Sequence, residues 1–440
     1  MANYSGPRRA TSTGTTITVN SNALPAWLPD PGSWSTVLGG ARPASLNSAE
    51  SIKGSFGSLF TSSRNWNGPN GLFDDFTGAV WNEHIGTYGA FLLMGGGHAT
   101  NWGMADNCVP MWRADTRQWS LLTNPTYPGE IDNADWTLNI QLPYTSSLLN
   151  NYGELATGVP ASNHSRCLPC ILPPEHGGGA SGSLLIPRLM AIHTDGNGAG
   201  QALGHKLNCA TALTVGPAAA SVAGGGWSRF GIDNLGGRAW SACVDTFRGD
   251  IYVAHQASSW LIEKFNSATT SVSNVTPSGY VDNNVAGMPL IYDDTHDIVI
   301  IFCKDFSLRV YLAPLTAGAA AISHTISGTQ PSSGIPDGAG SVGSSGGVWC
   351  PDFPPNGAIL HYNPANHQIK ALTAPANPRV AGGVWTWVTL SASNTLSGRG
   401  DALYWYNRLQ YSRKLKTCFL LSTSNDSYGG MAAFRPSEIT

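Results

Sequence analysis

The chain has 440 residues, a net charge of −3 and only 12% charged residues, against about 25% in an ordinary globular protein. A composition this weakly charged leaves no basic footprint for nucleic acid and no attraction to an acidic membrane surface. No run approaches the ~20 apolar residues of a membrane span, and the 52 glycines and 28 prolines are spread as turn punctuation, not gathered in a disordered tract.

Residues 1–70 read as an N-terminal arm and connector, ahead of a repeat that occupies 71–440. The arginines near the start have no apolar segment behind them, which predicts synthesis in a cytosol without export by the common route. Residues 15–20 alternate like an edge strand, and residues 25–32, rich in proline, read as an extended connector. From Ala79-Val80-Trp81 the pattern changes. Residues 88–94 form an apolar strand that ends in Gly95-Gly96-Gly97-His98, residues 108–113 form a second strand, and Trp119 follows a few positions after it. Weaker copies recur at 237–245, 250–254 and 260–265, at 289–293, 298–303 and 308–312, and at 407–411, 417–421 and 431–436. Glycines cluster where strands crowd and side chains would collide, and no stretch shows helical periodicity of useful length. The chain reads as all-β.

This succession resembles the blades of kelch and galactose-oxidase-like β-propellers over residues 75–436. The resemblance implies a β-propeller of four-stranded antiparallel blades, six in number, with seven as the alternative. Residues 15–20 are then the expected ring-closing strand, or an arm that docks on a neighbouring subunit. Propellers without a signal peptide are also similar to tail- or neck-associated proteins of tailed bacteriophages. Weak charge and 15 tryptophans suit work outside a cell, whereas the N-terminus suits synthesis inside one. A virion protein made in the host cytoplasm meets both conditions. The expected function is therefore a non-enzymatic structural or recognition component of a phage particle, present in multiple copies, contacting other virion proteins and a host-surface glycan, with no metal or cofactor. The alternative is a secreted galactose-oxidase-like copper enzyme or a glycan-binding propeller. For the oxidase, the Tyr-His pair that the resemblance requires late in the chain is replaced by Tyr404-Trp405-Tyr406-Asn407, and His361-Tyr362 has the reverse order.

Residues 123–163 form a long aromatic insertion. Tyr127, Trp136, Tyr144 and Tyr152 are the candidate binding residues, able to stack on sugar rings, pack on another subunit or cap the core. His164, Cys167, Cys170 and His176 carry zinc-ligand chemistry, but residues three apart on a straight strand face opposite ways, so the competing reading is buried or disulfide-bonded cysteine. The eight cysteines fall at roughly one per blade, an even count that permits disulfides. The Gly/Ser-rich stretch 327–347, read as a connection between blades, contains GxGxxG and GxSxG matches without the strand-to-helix context that either mechanism needs. Residues 195–200 begin like a calcium loop, but Lys206 stands where a bidentate glutamate belongs.

Overall fold

The computed structural model describes residues 24–36, 78–94, 108–124, 159–160, 167–187, 202–233, 238–256, 260–267, 271–280, 289–303, 306–331, 347–363, 368–393, 407–422 and 430–439. The strands form six sheets. β1 (Ser33–Thr36) belongs with the end of the chain. Blade 1 contains β2 (Gly78–Asn82), β3 (Ala90–Met94), β4 (Val109–Arg113) and β5 (Gln118–Thr123). Blade 2 contains β6 (Cys170–Leu172), β7 (Ser183–Ile186), β8 (Ala202–Asn208) and β9 (Trp227–Asp233), and blade 3 contains β10 (Arg238–Asp245), β11 (Asp250–Gln256), β12 (Trp260–Asn266) and β13 (Val272–Asn274). Blade 4 begins with β14 (Leu290–Asp293), β15 (Ile298–Phe302) and β16 (Leu308–Leu312), and β17 (Thr325–Gly328) follows. Blade 5 contains β18 (Val348–Cys350), β19 (Ala358–Asn363), β20 (Gln368–Thr373) and β21 (Val384–Thr389), and blade 6 is β22 (Leu409–Ser412), β23 (Thr417–Ser422) and β24 (Gly430–Arg435), completed by β1. The first strands of the blades meet in the order β2, β6, β10, β14, β18, β22 and back to β2, so the ring is closed. It is a six-bladed β-propeller.

Six apolar cores, one at each boundary between blades, hold the ring. Each blade therefore has two buried faces, and its strands read as continuous apolar runs instead of alternating ones. In β15, Ile298, Ile300 and Phe302 enter the core shared with blade 5, while Val299 and Ile301 enter the core shared with blade 3. All five are almost fully buried.

The turn between the first and second strand of every blade ends on a residue with positive φ. These are Gly89, Gly182, Gly249, Asp297, Gly357 and Lys416. Glycine takes that conformation without a Cβ penalty, and four of the six are glycine. In four blades the first strand also ends on a polar side chain that caps the turn: Asn82 accepts from His84 N, Asp245 from Phe247 N and Arg248 N, Asp293 from Thr295 N and His296 N, and Ser412 from Leu415 N.

Three features depart from a plain repeat. The position beside β24 is filled by β1, antiparallel with Ser33 opposite Arg435 and Thr36 opposite Ala432; the strand expected at residues 15–20 lies outside the described residues. Blade 4 hands its outer segment on, since Ile322 bridges Val310 but β17 then pairs in parallel with β21 of blade 5. Lys370, buried in blade 5, holds the end of that transfer by donating to the carbonyls of Thr329 and Gln330 at 2.9 and 3.0 Å. Two short helices, α1 (Cys209–Val215, capped by Asn208) and α2 (Pro217–Ala220), follow β8 and pack along β5, the outer strand of blade 1, which covers that edge.

Candidate functional site

Antiparallel blades divide the ring into two faces. The turns joining first to second and third to fourth strands lie at one of them, the turn face, while the second and fourth strands end at the other. Along the turn face a polar contact crosses every blade boundary. Asn82 Nδ2 of blade 1 donates to Ser181 O of blade 2 at 3.0 Å. His176 Nε2 of blade 2 donates to Thr246 O of blade 3 at 2.8 Å, in a space that exists because Gly249 has no Cβ. Arg248 of blade 3 grips both carboxylate oxygens of Asp297 in blade 4 at 2.7 and 2.8 Å. Arg379 of blade 5 donates to His296 O and Asp297 O of blade 4. Tyr411 of blade 6 donates to Asp352 of blade 5 at 2.8 Å. At the closing seam, Glu83 of blade 1 accepts from Arg413 N at 2.6 Å and from Ser412 Oγ at 3.3 Å, and its carbonyl accepts from Lys414 Nζ at 2.7 Å. Arg413 then reaches past blade 5 to Asp294 of blade 4 at 2.7 Å.

A second tier lies deeper in the ring, where first strands present edges that their own sheets leave unpaired. Trp81 N donates to Gln410 Oε1, Asn407 Nδ2 to Ala79 O, Leu290 N to Ser241 Oγ, and Ala242 N to Cys167 O. These bonds answer backbone groups that would otherwise be buried without partners.

The electrostatics follow from this pairing. Burial alone would raise Asp297, but the Arg248 guanidinium, the Tyr292 hydroxyl at 2.9 Å and the positive charge of Arg379 together hold its carboxyl below the ordinary value of 3.8. The cysteines go the other way. All eight are free and buried, which corrects the expectation of disulfides. Burial pushes the Cys209 and Cys350 thiols up to about 12 and raises Cys170 and Cys243 as well. Thiols of this kind are inert at neutral pH.

The residues singled out in the sequence are scattered. Cys167 bridges Ser241, Cys170 is buried in the core between blades 2 and 3, and His176 pins the turn face; His164 lies outside the described residues. Among the described residues no group of three or more His, Cys, Asp or Glu is arranged to hold a metal ion. His361 packs edge-on against Phe302, Phe306 and Trp387, whereas its neighbour Tyr362 faces the opposite blade boundary beside Trp34. Tyr127, Trp136, Tyr144 and Tyr152 lie outside the described residues, as do Gly95 to His98. β5, the fourth strand of blade 1, ends at Thr123 on the face opposite the turns. The boundary-crossing polar residues escaped the sequence reading; the signal that blades 1 and 3 carry is Asn82 and Asp245, each at the end of a first strand with a glycine, Gly86 or Gly249, four positions on.

No known family profile matches the chain, and no curated protein matches it. Solved structures similar to it include an α-L-arabinanase of Penicillium chrysogenum complexed with arabinobiose, 13% identical with a TM-score of 0.43, covering 82% of this chain and 94% of that one. An α-L-arabinofuranosidase of Fusarium graminearum is 12% identical with a TM-score of 0.41, covering 83% and 94%. An auxiliary nutrient binding protein of Bacteroides ovatus is 11% identical with a TM-score of 0.45, covering 91% and 75%. These findings overturn the expectation of a non-enzymatic phage-particle component. The proteins named are two glycosidases and a nutrient-binding protein, and both the virion role and the exclusion of enzymatic activity are withdrawn. At these identities the likeness assigns no substrate to this chain.

Proposed function

We propose that this chain is a carbohydrate-recognising propeller whose ligand is taken at the face opposite the turns. The observation that supports the reading is the difference between the two faces. Polar side chains of the turn face bond side chains or backbone groups of a neighbouring blade at all six boundaries, and so are already engaged in holding the ring together. The last residue of β5, Thr123, lies at the opposite face, and the sequence that follows it carries Tyr127, Trp136, Tyr144 and Tyr152. Aromatic rings offer flat apolar faces with a polar edge, a combination suited to sugar rings. A chain with 12% charged residues and a net charge of −3 suits an uncharged glycan better than an acidic one.

The test is a screen of immobilised polysaccharides with the full chain, with release of reducing ends followed in parallel to show whether the bound glycan is also cleaved. Saturable binding of an uncharged polysaccharide is expected, weakened at least about tenfold, or about 1.4 kcal/mol, when the four aromatic residues are replaced by alanine. Binding that survives those replacements, or the absence of binding to any polysaccharide, contradicts the reading.

A further inference from the structure

Residues 24–36 form a clasp on blade 6. Trp27 packs into the boundary with blade 1, with ring centroids 6.2 Å from Trp112 and 6.4 Å from Phe419. The chain then crosses the blade's outer edge, where Gly32 N donates to Arg435 O at 2.7 Å and β1 pairs with β24. Trp34 enters the opposite boundary, 5.0 Å from Phe434 and 6.0 Å from Tyr362, and is 4% exposed. Gly32 O and Ser33 Oγ also bond Ser393 N and Ser393 Oγ, at 2.8 and 2.6 Å. One tryptophan thus grips each face of blade 6, from a segment of which only four residues are paired as strand.

Residues 37–77 separate the clasp from β2 in sequence, a number of residues whose contour length is roughly 140 Å. The covalent connection therefore does not dictate which copy's blade 6 the clasp completes. A clasp donated to a second molecule makes the same contacts with blade 6 as one kept at home, and exchange then depends on concentration. We propose that residues 24–36 are an exchangeable clasp, and that the edge of β24 with its two tryptophan seats is an interface between copies of this chain. Exchange is favoured where copies are crowded together.

Ser35 and Ala433 face each other in register, which supplies the test. Full-length Ser35→Cys and full-length Ala433→Cys are mixed in denaturant, refolded together at a series of concentrations and oxidised; the native thiols are buried and free. The double variant Ser35→Cys/Ala433→Cys calibrates the geometry by crosslinking within one chain, and the pair Thr36→Cys/Ala432→Cys replaces it if that bond fails to form. A covalent dimer of the two single variants is expected on a non-reducing gel. It should increase with concentration and fall at least fivefold when Trp34→Ala is added to the Ser35→Cys chain. Single variants that stay monomeric at every concentration, while the double variant crosslinks internally, overturn the proposal.

Discussion

Gly89 and Gly357 hold the same place in blades 1 and 5, each with positive φ just before the second strand. A Cβ at Gly89 would lie 2.8 Å from Trp81 Nε1, and one at Gly357 would lie 2.5 Å from Trp349 Cζ2. Gly357→Ala is expected to cost about 2–4 kcal/mol, because strain and collision act together. Gly279→Ala has a similar φ of 72° with open space around it, and its cost of about 1 kcal/mol is strain alone. Urea unfolding of the two variants measures the difference. Asp297 makes a second prediction, this one dependent on pH. Its depressed carboxyl contributes stability that is present above the unfolded value of 3.8 and lost as pH falls through the lower folded value. Asp297→Asn is thus expected to cost about 2 kcal/mol at pH 7 and progressively less as pH falls below 3.8, read from unfolding midpoints across that range. At this scale the sequence showed where turns lie but not what they hold. The partners of Asp297 come from Arg248 and Arg379, far apart in the chain and brought together only by the ring.

At the scale of elements, strands buried on both faces were the easiest to read, because a run such as Ile298–Phe302 fits little else. The closing strand was harder. Its sequence, Ser-Trp-Ser-Thr, has no apolar run, and its place is fixed by Trp34 and by backbone pairing with a strand near the other end of the chain. Blades 2 and 5 were also obscure, since β6 and β18 are only three residues long and give no pattern of their own. The transfer of β17 to blade 5 had no signal at all, since a parallel edge pairing depends on where the neighbouring blade stands. Trp34→Ala tests the clasp directly. It removes a buried ring from the core between blades 5 and 6, and a loss of about 3–5 kcal/mol is expected in chemical denaturation. Lys370→Met tests the transfer: the carbonyls of Thr329 and Gln330 lose their donor, and a loss of about 1–3 kcal/mol is expected. Amide exchange should then rise in β17 before it rises in β19 or β20.

For the whole molecule, the blade repeat was legible because each blade needs the same apolar strands and the same turn chemistry, while the function was not, because it depends on how different blades combine. Of the residues with zinc-ligand chemistry, Cys170 is a core thiol and His176 a boundary pin, since positions close in sequence are divided between a core and the turn face. The account rests on one face holding the ring together and the other meeting the ligand. Hydrogen exchange measured by mass spectrometry, with and without a saturating uncharged oligosaccharide identified by the screen, tests that division most directly. Protection is predicted in peptides covering 95–107 and 125–158 and at the adjoining ends of the second and fourth strands, with the turns at 82–90, 245–250 and 293–298 unchanged. Protection confined to those turns, with none at the opposite face, would contradict it.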